Sequence, residues 1–391
     1  MRPLILALVL VLVVGTTGLV GWLARPAPPT LFYTSIDVDP TLPPGTLLTV
    51  EPFTLDVPAS AEGFRIIYTT RRHDNRPAIA SAVVMVPRQP ASMRPVIGWA
   101  HGTTGIMPGC APSVLAPFAN VPAIEPLLAA GWAYVGTDYI GLGADDAHAY
   151  LVGPEAAHAV LDAHRAALSI EDLSLSPRTV IWGHSQGGHA ALWTGQRAAA
   201  YAPDLDVLGV AAFAPASDLP ALFSNTEGTL FGRLVSAYLL SSYAETYPDV
   251  AADSALAGIT GAIVDDIAGR CVVGLPTLVP ALQSIFLPTE GVLSTDPAHP
   301  FGRRLADNVP TGPFPMPVLI AQGVTDDLVL EPVQASYARA RCADGAPLDY
   351  RPFPGLDHLA LVADTSALIE PLMAWTAARF AGEPAATACP N

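Results

Sequence analysis

Short apolar runs separated by turn residues dominate the first third of the chain. Each run is bounded by Gly, Pro or charged residues, a pattern that is typical of β-strands. From Glu155 onward the pattern changes, because apolar residues recur at spacings of three and four and Pro154 stands where a helix can begin. The strands predicted in this part are 64–70, 79–86, 95–102 and 131–139, followed by a helix from Glu155.

Strands and helices then alternate. Apolar runs flank an alanine-rich stretch with helical character, and such runs are typical of strands buried on both faces of a parallel sheet with right-handed crossovers. The predicted fold class is therefore α/β. The predicted elements are strands at 179–183, 207–215, 317–323 and 350–353 and helices at 188–200 and 358–380.

Two regions lack this alternation. Residues 26–50 are rich in proline and without periodicity, so they are interpreted as a linker or as a lead-in that lies along the surface. Residues 218–315 mix apolar segments with Pro and Gly and are interpreted as an inserted cap. The main domain is then predicted over 51–217 and 316–391.

The first 25 residues predict export. Arg2 precedes an uncharged apolar stretch from Leu4 to Ala24, which fits a signal peptide and is also about long enough, at roughly 20 residues, to span a bilayer. Arg25 and Pro26 stand where a cleavage site requires small residues. Cleaved signal and uncleaved membrane anchor both remain open, and either one exports the body of the protein.

Composition narrows the class of protein further. Hydrophobic residues make up 51% of the chain and charged residues 14%, a balance that favours a large buried core. The net charge is −16, and all 19 basic residues are arginines that never form a run longer than two, which argues against nucleic acid as a partner. Oligomeric state is not predicted.

The four cysteines are expected to form two disulfides. Export makes disulfides permissible, and the spacing contains no CxxC pair of the kind that zinc or redox chemistry uses. Buried free thiols are the alternative, and the sequence does not choose among the three pairings of Cys110, Cys271, Cys342 and Cys389.

The motif Gly183-His184-Ser185-Gln186-Gly187 is the strongest chemical signal. It fits G-x-S-x-G between an apolar strand and a helix, where a sharp turn exposes the serine hydroxyl. The alternative is a glycine-rich turn around a buried serine. A nucleophilic serine needs a base, and the base needs a carboxylate to hold its tautomer.

The base and the acid are expected downstream of Ser185, because the α/β-hydrolase fold, which this motif resembles, uses the order Ser, acid, His. His358 is preferred as the base, since it follows the last predicted strand. His189 belongs to the helix after the motif, and His299 lies in the proline-rich end of the cap. Asp326 is the preferred acid in the turn after the strand at 317–323, with neighbouring Asp327 and then Asp357 as alternatives.

Two backbone N–H groups are expected to stabilise the oxyanion. One belongs to Gln186, directly after the nucleophile, and the other to Thr103 in the segment Trp99-Ala100-His101-Gly102-Thr103-Thr104-Gly105. His101 is also a candidate metal ligand, but neither HExxH nor a second clustered histidine accompanies it. No metal and no cofactor are predicted.

These motifs resemble the secretory lipase family, which includes fungal lipase-A-type enzymes and bacterial relatives. The matching stretches are 99–105, 131–143, 182–193, 322–329 and the loop at Asp357-His358. The resemblance implies that Asp326 completes the triad and that the cap forms a lid and an acyl tunnel. It also implies the pairs Cys110–Cys271 and Cys342–Cys389.

The expected function is therefore carboxylic ester hydrolysis through an acyl-enzyme, with an ester or lipid as substrate. Acyl transfer to an alcohol and a non-catalytic binding role are the alternatives, and cleavage of peptide bonds is not excluded by a triad alone. The cap segments 275–282 and 285–287 are apolar enough to bind an acyl chain or a lipid surface, or to form ordinary subdomain core.

Overall fold

A computed structural model of the chain describes residues 25–144, 147–251, 259–274, 277–288 and 293–390. The predicted export segment lies outside these residues, apart from Arg25. The strands within the described residues form one sheet. In chain order they are β1 (Leu47–Phe53), β2 (Ala61–Arg71), β3 (Pro77–Pro87), β4 (Arg94–Ala100), β5 (Ala133–Tyr139), β6 (Leu175–His184), β7 (Asp206–Phe213), β8 (Val318–Gly323) and β9 (Leu348–Phe353).

The sheet is mostly parallel. Its strand order is β1-β2-β3-β5-β4-β6-β7-β8-β9, and every pair from β5 to β9 in that order is parallel. The first three strands form an antiparallel edge that joins β5. The α/β prediction is thereby confirmed, and the predicted strands lie within a few residues of the observed ones.

Helices cover both faces of the sheet or form the segment between β7 and β8. In chain order they are α1 (Leu31–Thr34), α2 (Pro112–Leu115), α3 (Ile124–Ala129), α4 (Gly153–Leu168), α5 (Gln186–Tyr201), α6 (Leu219–Thr226), α7 (Leu230–Thr246), α8 (Pro248–Ala251), α9 (Ile259–Ala268), α10 (Leu278–Gln283), α11 (Pro300–Asp307), α12 (Glu331–Ala343) and α13 (Ile369–Ala381).

Alternation of side chains along the strands builds two cores. On β6, Ile181 packs into one core with α4, α5 and α12, whereas the next residue, Trp182, packs into the other core with α3 and α13. Successive side chains of a strand point to opposite faces, so an uninterrupted apolar run serves both cores. This arrangement holds β6 rigidly at the centre of the sheet, directly before the serine.

The proline-rich lead-in is packed onto the body. Tyr33 of α1 is only 1% exposed, and its hydroxyl lies 2.8 Å from Oγ of Ser113. Strand β1 begins at Leu47, inside the segment predicted as lead-in, so the sheet starts earlier than residue 51. The polar and apolar positions of β1 do not alternate strictly, which is why the pattern failed to reveal this edge strand.

The last helix begins later than predicted. The expectation of a helix from His358 is wrong, because α13 starts at Ile369 and only a single turn of 3-10 helix occurs before it, at Ala360–Val362. Polar side chains explain the interruption: Asp357 Oδ1 accepts hydrogen bonds from two following backbone N–H groups, and Ser366 Oγ accepts one from Leu368 N. Such local bonds compete with helix formation.

The segment between β7 and β8 has a hydrophobic cluster of its own. Helices α6, α7, α9 and α11 contribute to it, together with residues 149–152 from the segment before α4. Buried aromatic side chains such as Tyr238, Tyr243 and Phe301 dominate this cluster. None of the helices within the described residues is long and apolar enough to cross a membrane.

Two disulfides are present. Cys110 pairs with Cys271, which ties the segment after β4 to the segment between β7 and β8, and Cys342 pairs with Cys389, which ties α12 to the C-terminal segment. The prediction of two disulfides is confirmed, as is the pairing that the family resemblance implied.

Candidate active site

The turn between β6 and α5 has the backbone geometry of a nucleophile elbow. Ser185 adopts φ 59° and ψ −118°, a conformation that costs energy for a residue with a side chain. A Cβ atom at Gly183 would overlap the carbonyl oxygen of Gly187, and one at Gly187 would overlap that of Ala100. Glycine is therefore required at both flanking positions for the chain to turn this tightly.

Asp326 and His358 form a buried pair. Nδ1 of His358 lies 2.7 Å from Oδ2 of Asp326, and both side chains are almost wholly buried. The Asp326 carboxylate also accepts hydrogen bonds from Gln322 Nε2 at 3.2 Å, from Leu328 N at 2.9 Å and from Val329 N at 2.8 Å. These donors fix the carboxylate in the turn after β8, so that the histidine is held through Nδ1.

The competing acids point elsewhere. Asp327 is exposed to solvent. Oδ1 of Asp357 lies 2.8 Å from the N–H of Ala360 and serves the turn after the histidine. Of the three carboxylates that the sequence left open, Asp326 is the one that contacts His358.

The competing histidines have structural roles. His299 precedes α11, where its Nδ1 accepts a hydrogen bond from Phe301 N at 3.2 Å. His189 is buried in α5, where its Nε2 lies 2.7 Å from the carbonyl oxygen of Asn308, and burial lowers its pKa to about 4. Neither histidine lines the cavity that contains Ser185 and His358.

A cavity of about 670 Å³ opens above the elbow. Ser185, His358 and Thr103 all line it, as does His184. Its remaining walls are mostly apolar and come from three parts of the chain: the segment after β4, the segment between β7 and β8, and the loops after β8 and β9. The apolar wall residues include Pro112, Leu115, Pro117, Leu230, Phe231, Leu234, Val272, Ala281, Leu328 and Leu359.

The loop that carries Thr103 is bound to the segment between β7 and β8. Val272 N donates to the carbonyl oxygen of Thr104 at 2.8 Å, directly after the disulfide-bonded Cys271. Gly105 has φ 129°, and a Cβ there would approach Cys110 Sγ to 2.6 Å. The disulfide and this hydrogen bond hold the loop beside the cavity.

The side chain of Gln186, the other predicted oxyanion donor, contacts a buried histidine. Its side-chain Nε2 lies 3.2 Å from Nε2 of His148, whose Nδ1 lies 2.8 Å from the carbonyl oxygen of Ile140. Burial lowers the pKa of His148 to about 3, so the ring stays neutral and can accept at Nε2 while donating at Nδ1. The first turn of α5, which carries the Gln186 N–H, is thereby anchored.

His184 supports the predicted base. Its ring centroid lies 4.6 Å from that of His358, and its Nε2 donates to the His358 carbonyl oxygen at 3.0 Å. Burial, and secondarily the neighbouring His358, holds the pKa of His184 well below its usual range. A neutral ring at this position orients the His358 backbone without adding charge.

The ring nitrogens of His101 face backbone carbonyl groups of the protein. Its ring nitrogens face the carbonyl oxygens of Gly102 at 2.6 Å and Asp138 at 3.3 Å, and burial lowers its pKa to about 4. Among the residues that the structure describes, no group of three or more His, Cys, Asp or Glu side chains is arranged to hold a metal ion.

Several residues that support the candidate site could not be identified from the sequence. His148 and Tyr150 stand in a segment without a motif, and nothing in a single sequence connects them with the elbow. Gln322 did carry a signal, because a polar side chain closing the apolar run of β8 is unusual at a position that is fully buried.

A serine elbow at the carboxyl edge of a mostly parallel sheet, with helices on both faces, defines an α/β-hydrolase fold. The chain belongs to the secretory lipase family, whose model matches residues 118–388. The expected family and fold are thereby confirmed. The family comprises ester-cleaving hydrolases, and its name accords with export.

Two curated relatives cover most of the chain. A Mycobacterium tuberculosis protein named Probable inactive lipase MT1628 is 29% identical over 84% of this chain and 76% of its own length. Lipase A of Moesziomyces aphidis is 24% identical over 77% of this chain and 69% of its own length. The relatives thus include both a named lipase and a protein whose name marks it as inactive.

A solved structure shares the architecture. Candida antarctica lipase A in its closed state matches with a TM-score of 0.75, covering 93% of this chain and 89% of that chain at 21% identity. At this identity the likeness concerns the fold alone.

Proposed function

We propose that this protein hydrolyses carboxylic esters of lipids through an acyl-enzyme on Ser185, with His358 as general base and Asp326 as its orienting acid. One observation carries the proposal: His358, whose Nδ1 lies 2.7 Å from Oδ2 of Asp326, lines the same cavity as the strained Ser185. Because Nδ1–H donates to the carboxylate, Nε2 of His358 keeps its lone pair for a proton.

The proposed reaction has two steps, acylation of Ser185 and hydrolysis of the acyl-enzyme. Ser185 Oγ attacks the ester carbonyl carbon while its proton moves to His358 Nε2, and the oxyanion receives hydrogen bonds from the backbone N–H groups of Thr103 and Gln186. The carbon–oxygen bond to the alcohol then breaks, and the alcohol leaves with the proton from Nε2. Water attacks the acyl-enzyme, returns a proton through Nε2 to Ser185 Oγ, and releases the carboxylic acid.

A lipid-like substrate is supported by the walls of the cavity. The acyl chain lies against apolar side chains of the cap and of the segment after β4, such as Leu234, Val272 and Leu115. In this proposal the cap is residues 218–315, inserted into a catalytic domain of 51–217 and 316–391 after the 26–50 lead-in. The chain is exported by residues 1–25, as a cleaved signal or as an anchor.

The proposal includes contact between the cap and a lipid surface. Leu282 is 62% exposed and Phe286 is 74% exposed, and Leu278 and Ile285 beside them are also exposed. Ala281 lies in α10 together with Leu278 and Leu282, and it lines the cavity. This apolar surface therefore borders the opening of the cavity. Leu275 and Pro276, which belong to the same predicted apolar segment, lie outside the described residues. Contiguous apolar exposure of this kind marks an interaction surface.

A non-catalytic role is the second candidate, because one relative carries the name of a probable inactive lipase. Such a protein would bind lipid in the cavity without turning it over. Acyl transfer, in which an alcohol intercepts the acyl-enzyme, uses the same residues and differs only in the acceptor.

A panel of p-nitrophenyl esters from short to long acyl chain, run beside a triglyceride emulsion, tests the proposal. Wild-type protein turns over esters, and Ser185→Ala lowers kcat by at least about three orders of magnitude without unfolding the protein. Ser224→Ala, which changes an exposed serine of the cap, is the matched control and keeps wild-type turnover. Absence of wild-type turnover contradicts the proposal and favours the binding role. Ester exchange that outruns hydrolysis when alcohols are added favours acyl transfer.

A further inference from the structure

A buried tyrosine contacts the side chain of the predicted oxyanion residue. The hydroxyl oxygen of Tyr150 lies 2.7 Å from Oγ1 of Thr103. Tyr150 is almost wholly buried, whereas Thr103 is partly exposed and lines the cavity. The Thr103 side chain therefore connects a buried phenol with the lining of the cavity.

The direction of this hydrogen bond follows from burial. A buried hydroxyl must donate its hydrogen to an acceptor, and among the described residues Thr103 Oγ1 is the acceptor that Tyr150 contacts. Burial also raises the pKa of Tyr150, so the phenol keeps its proton. With Tyr150 as donor, Oγ1 of Thr103 is an acceptor in this bond and its own hydrogen is free to point into the cavity.

Cap contacts fix the phenol in place. Tyr150 N donates to Ser242 Oγ of α7 at 2.8 Å, and the same Oγ donates to the His148 carbonyl oxygen at 2.8 Å. The Tyr150 ring also packs edge-on against Tyr238 of α7, with ring centroids 6.1 Å apart. The position of Tyr150 is therefore set by the cap, and the cap in turn positions the Thr103 hydroxyl.

We propose that the Thr103 hydroxyl, oriented by Tyr150, donates a third hydrogen bond to the oxyanion, in addition to the backbone N–H groups of Thr103 and Gln186. This inference rests on the proposed function. The oxygen of the substrate gains negative charge only as the tetrahedral intermediate forms, so a preoriented hydroxyl stabilises the transition state more than the bound ester. Thr103 is then a catalytic residue through its side chain, and Tyr150 is a positioning residue.

Thr103→Val tests the donor, because valine keeps the branched shape and the backbone N–H but lacks the hydroxyl. We expect kcat for a soluble p-nitrophenyl ester to fall about 10- to 100-fold with little change in KM, since a single oxyanion donor contributes at least this much in comparable sites. The affinity for a phenylboronic acid, which forms a tetrahedral adduct with the serine, falls in parallel. Thr103→Ser restores the hydroxyl and most of kcat.

Tyr150→Phe tests the positioning role. It lowers kcat less than Thr103→Val does, and it lowers kcat no further once Thr103 is already valine, because the two hydroxyls act as one unit. A purely structural role for Tyr150 would add its effect in both backgrounds.

The chain offers a matched control pair. The Tyr68 hydroxyl lies 2.6 Å from Oγ1 of Thr137 inside the sheet, outside the cavity lining. Tyr68→Phe and Thr137→Val make the same chemical changes there, and we expect them to lower the unfolding midpoint while kcat is unchanged.

The outcomes separate the inference from the proposed function. Wild-type turnover that persists unchanged in Thr103→Val overturns the inference alone, as does an equal loss from Tyr150→Phe in both backgrounds. Absence of wild-type ester turnover and of boronate binding overturns both. Loss of kcat in Thr103→Val, rescue by Thr103→Ser and non-additivity with Tyr150→Phe together support the inference.

Discussion

Nδ1 of His358 lies 2.7 Å from Oδ2 of Asp326, although the two residues are 32 positions apart in the chain. The turns after β8 and β9 bring them together, because the carboxyl ends of neighbouring parallel strands meet at one edge of the sheet. The same edge carries Ser185 at the end of β6. The arrangement therefore follows from strand order, and each candidate residue occupies the first turn beyond its strand.

Asp326→Asn should lower kcat by about three to four orders of magnitude, because an amide in that place favours the wrong histidine tautomer. Asp327→Asn is the matched control one position along the chain. It should leave kcat unchanged, since Asp327 is exposed to solvent. Steady-state kinetics on a soluble ester measures both. Equal losses in the two variants would show that the acid has been misassigned.

Removing Cys110–Cys271 should impair catalysis more than removing Cys342–Cys389. In a chain-entropy model each bond stabilises the folded state by about 4 to 5 kcal/mol at most. Only the first lies beside Val272, whose N–H donates to the Thr104 carbonyl oxygen in the loop that carries Thr103. The double Cys→Ser variants are compared by kcat/KM well below their unfolding temperatures. Equal kcat/KM in both variants would contradict the proposed role of the cap in holding the loop.

Stability should fall in mild acid. Burial lowers the pKa of several histidines below the 6.5 of the unfolded chain. The unfolded state therefore binds more protons, and the free energy of unfolding decreases as pH falls from about 6.5 to about 4. The residues are His101, His158, His164 and His189 at about 4, His148 at about 3, and His184, whose pKa burial holds well below its usual range.

Two buried carboxyls, Asp138 and Asp162, act in the opposite direction, because burial raises the pKa of each. Burial raises the pKa of Asp162 to about 6, so its contribution to stability falls as pH rises from about 4 to 6. Six histidines outweigh two aspartates, and the net expectation is acid destabilisation. Urea unfolding at a series of pH values measures it. A free energy of unfolding that stays level or increases from pH 6.5 down to 4.5 would refute the expectation.

Phe286→Glu should reduce activity on a triglyceride emulsion and leave turnover of a short soluble ester near the wild-type value. A charge on this exposed apolar surface opposes contact with lipid but does not enter the cavity lining. Leu31→Glu, at an 80% exposed position in α1, is the control and should change neither activity. If both substrates lose activity equally in Phe286→Glu, the surface serves the fold of the cap and not lipid contact.

The sheet and the elbow could be predicted because their signals are local. Buried parallel strands are uninterrupted apolar runs, and the glycines around Ser185 are required by the turn itself. The start of α13 was predicted wrongly, because apolar spacing continues through 358–368 while Asp357 and Ser366 form turns that periodicity does not detect.

Contacts between distant segments could not be predicted. Tyr150 and Thr103 are 47 positions apart, and His184 and His358 are 174 apart. Each pair depends on how the cap or a loop packs onto the sheet, which single-sequence patterns do not encode. The disulfide pairing was likewise open until the family resemblance supplied it. The residues that support the site could therefore be identified only from the three-dimensional structure.

Covalent labelling tests the central claim most directly. Intact-protein mass spectrometry after treatment with a fluorophosphonate should show one added phosphonyl group, and peptide mapping should locate it on Ser185. Ser185→Ala should remain unlabelled, and His358→Ala should label far more slowly, because the base that activates the hydroxyl is absent. Folded wild-type protein that gains no mass, or that carries the label on another residue, would contradict the account.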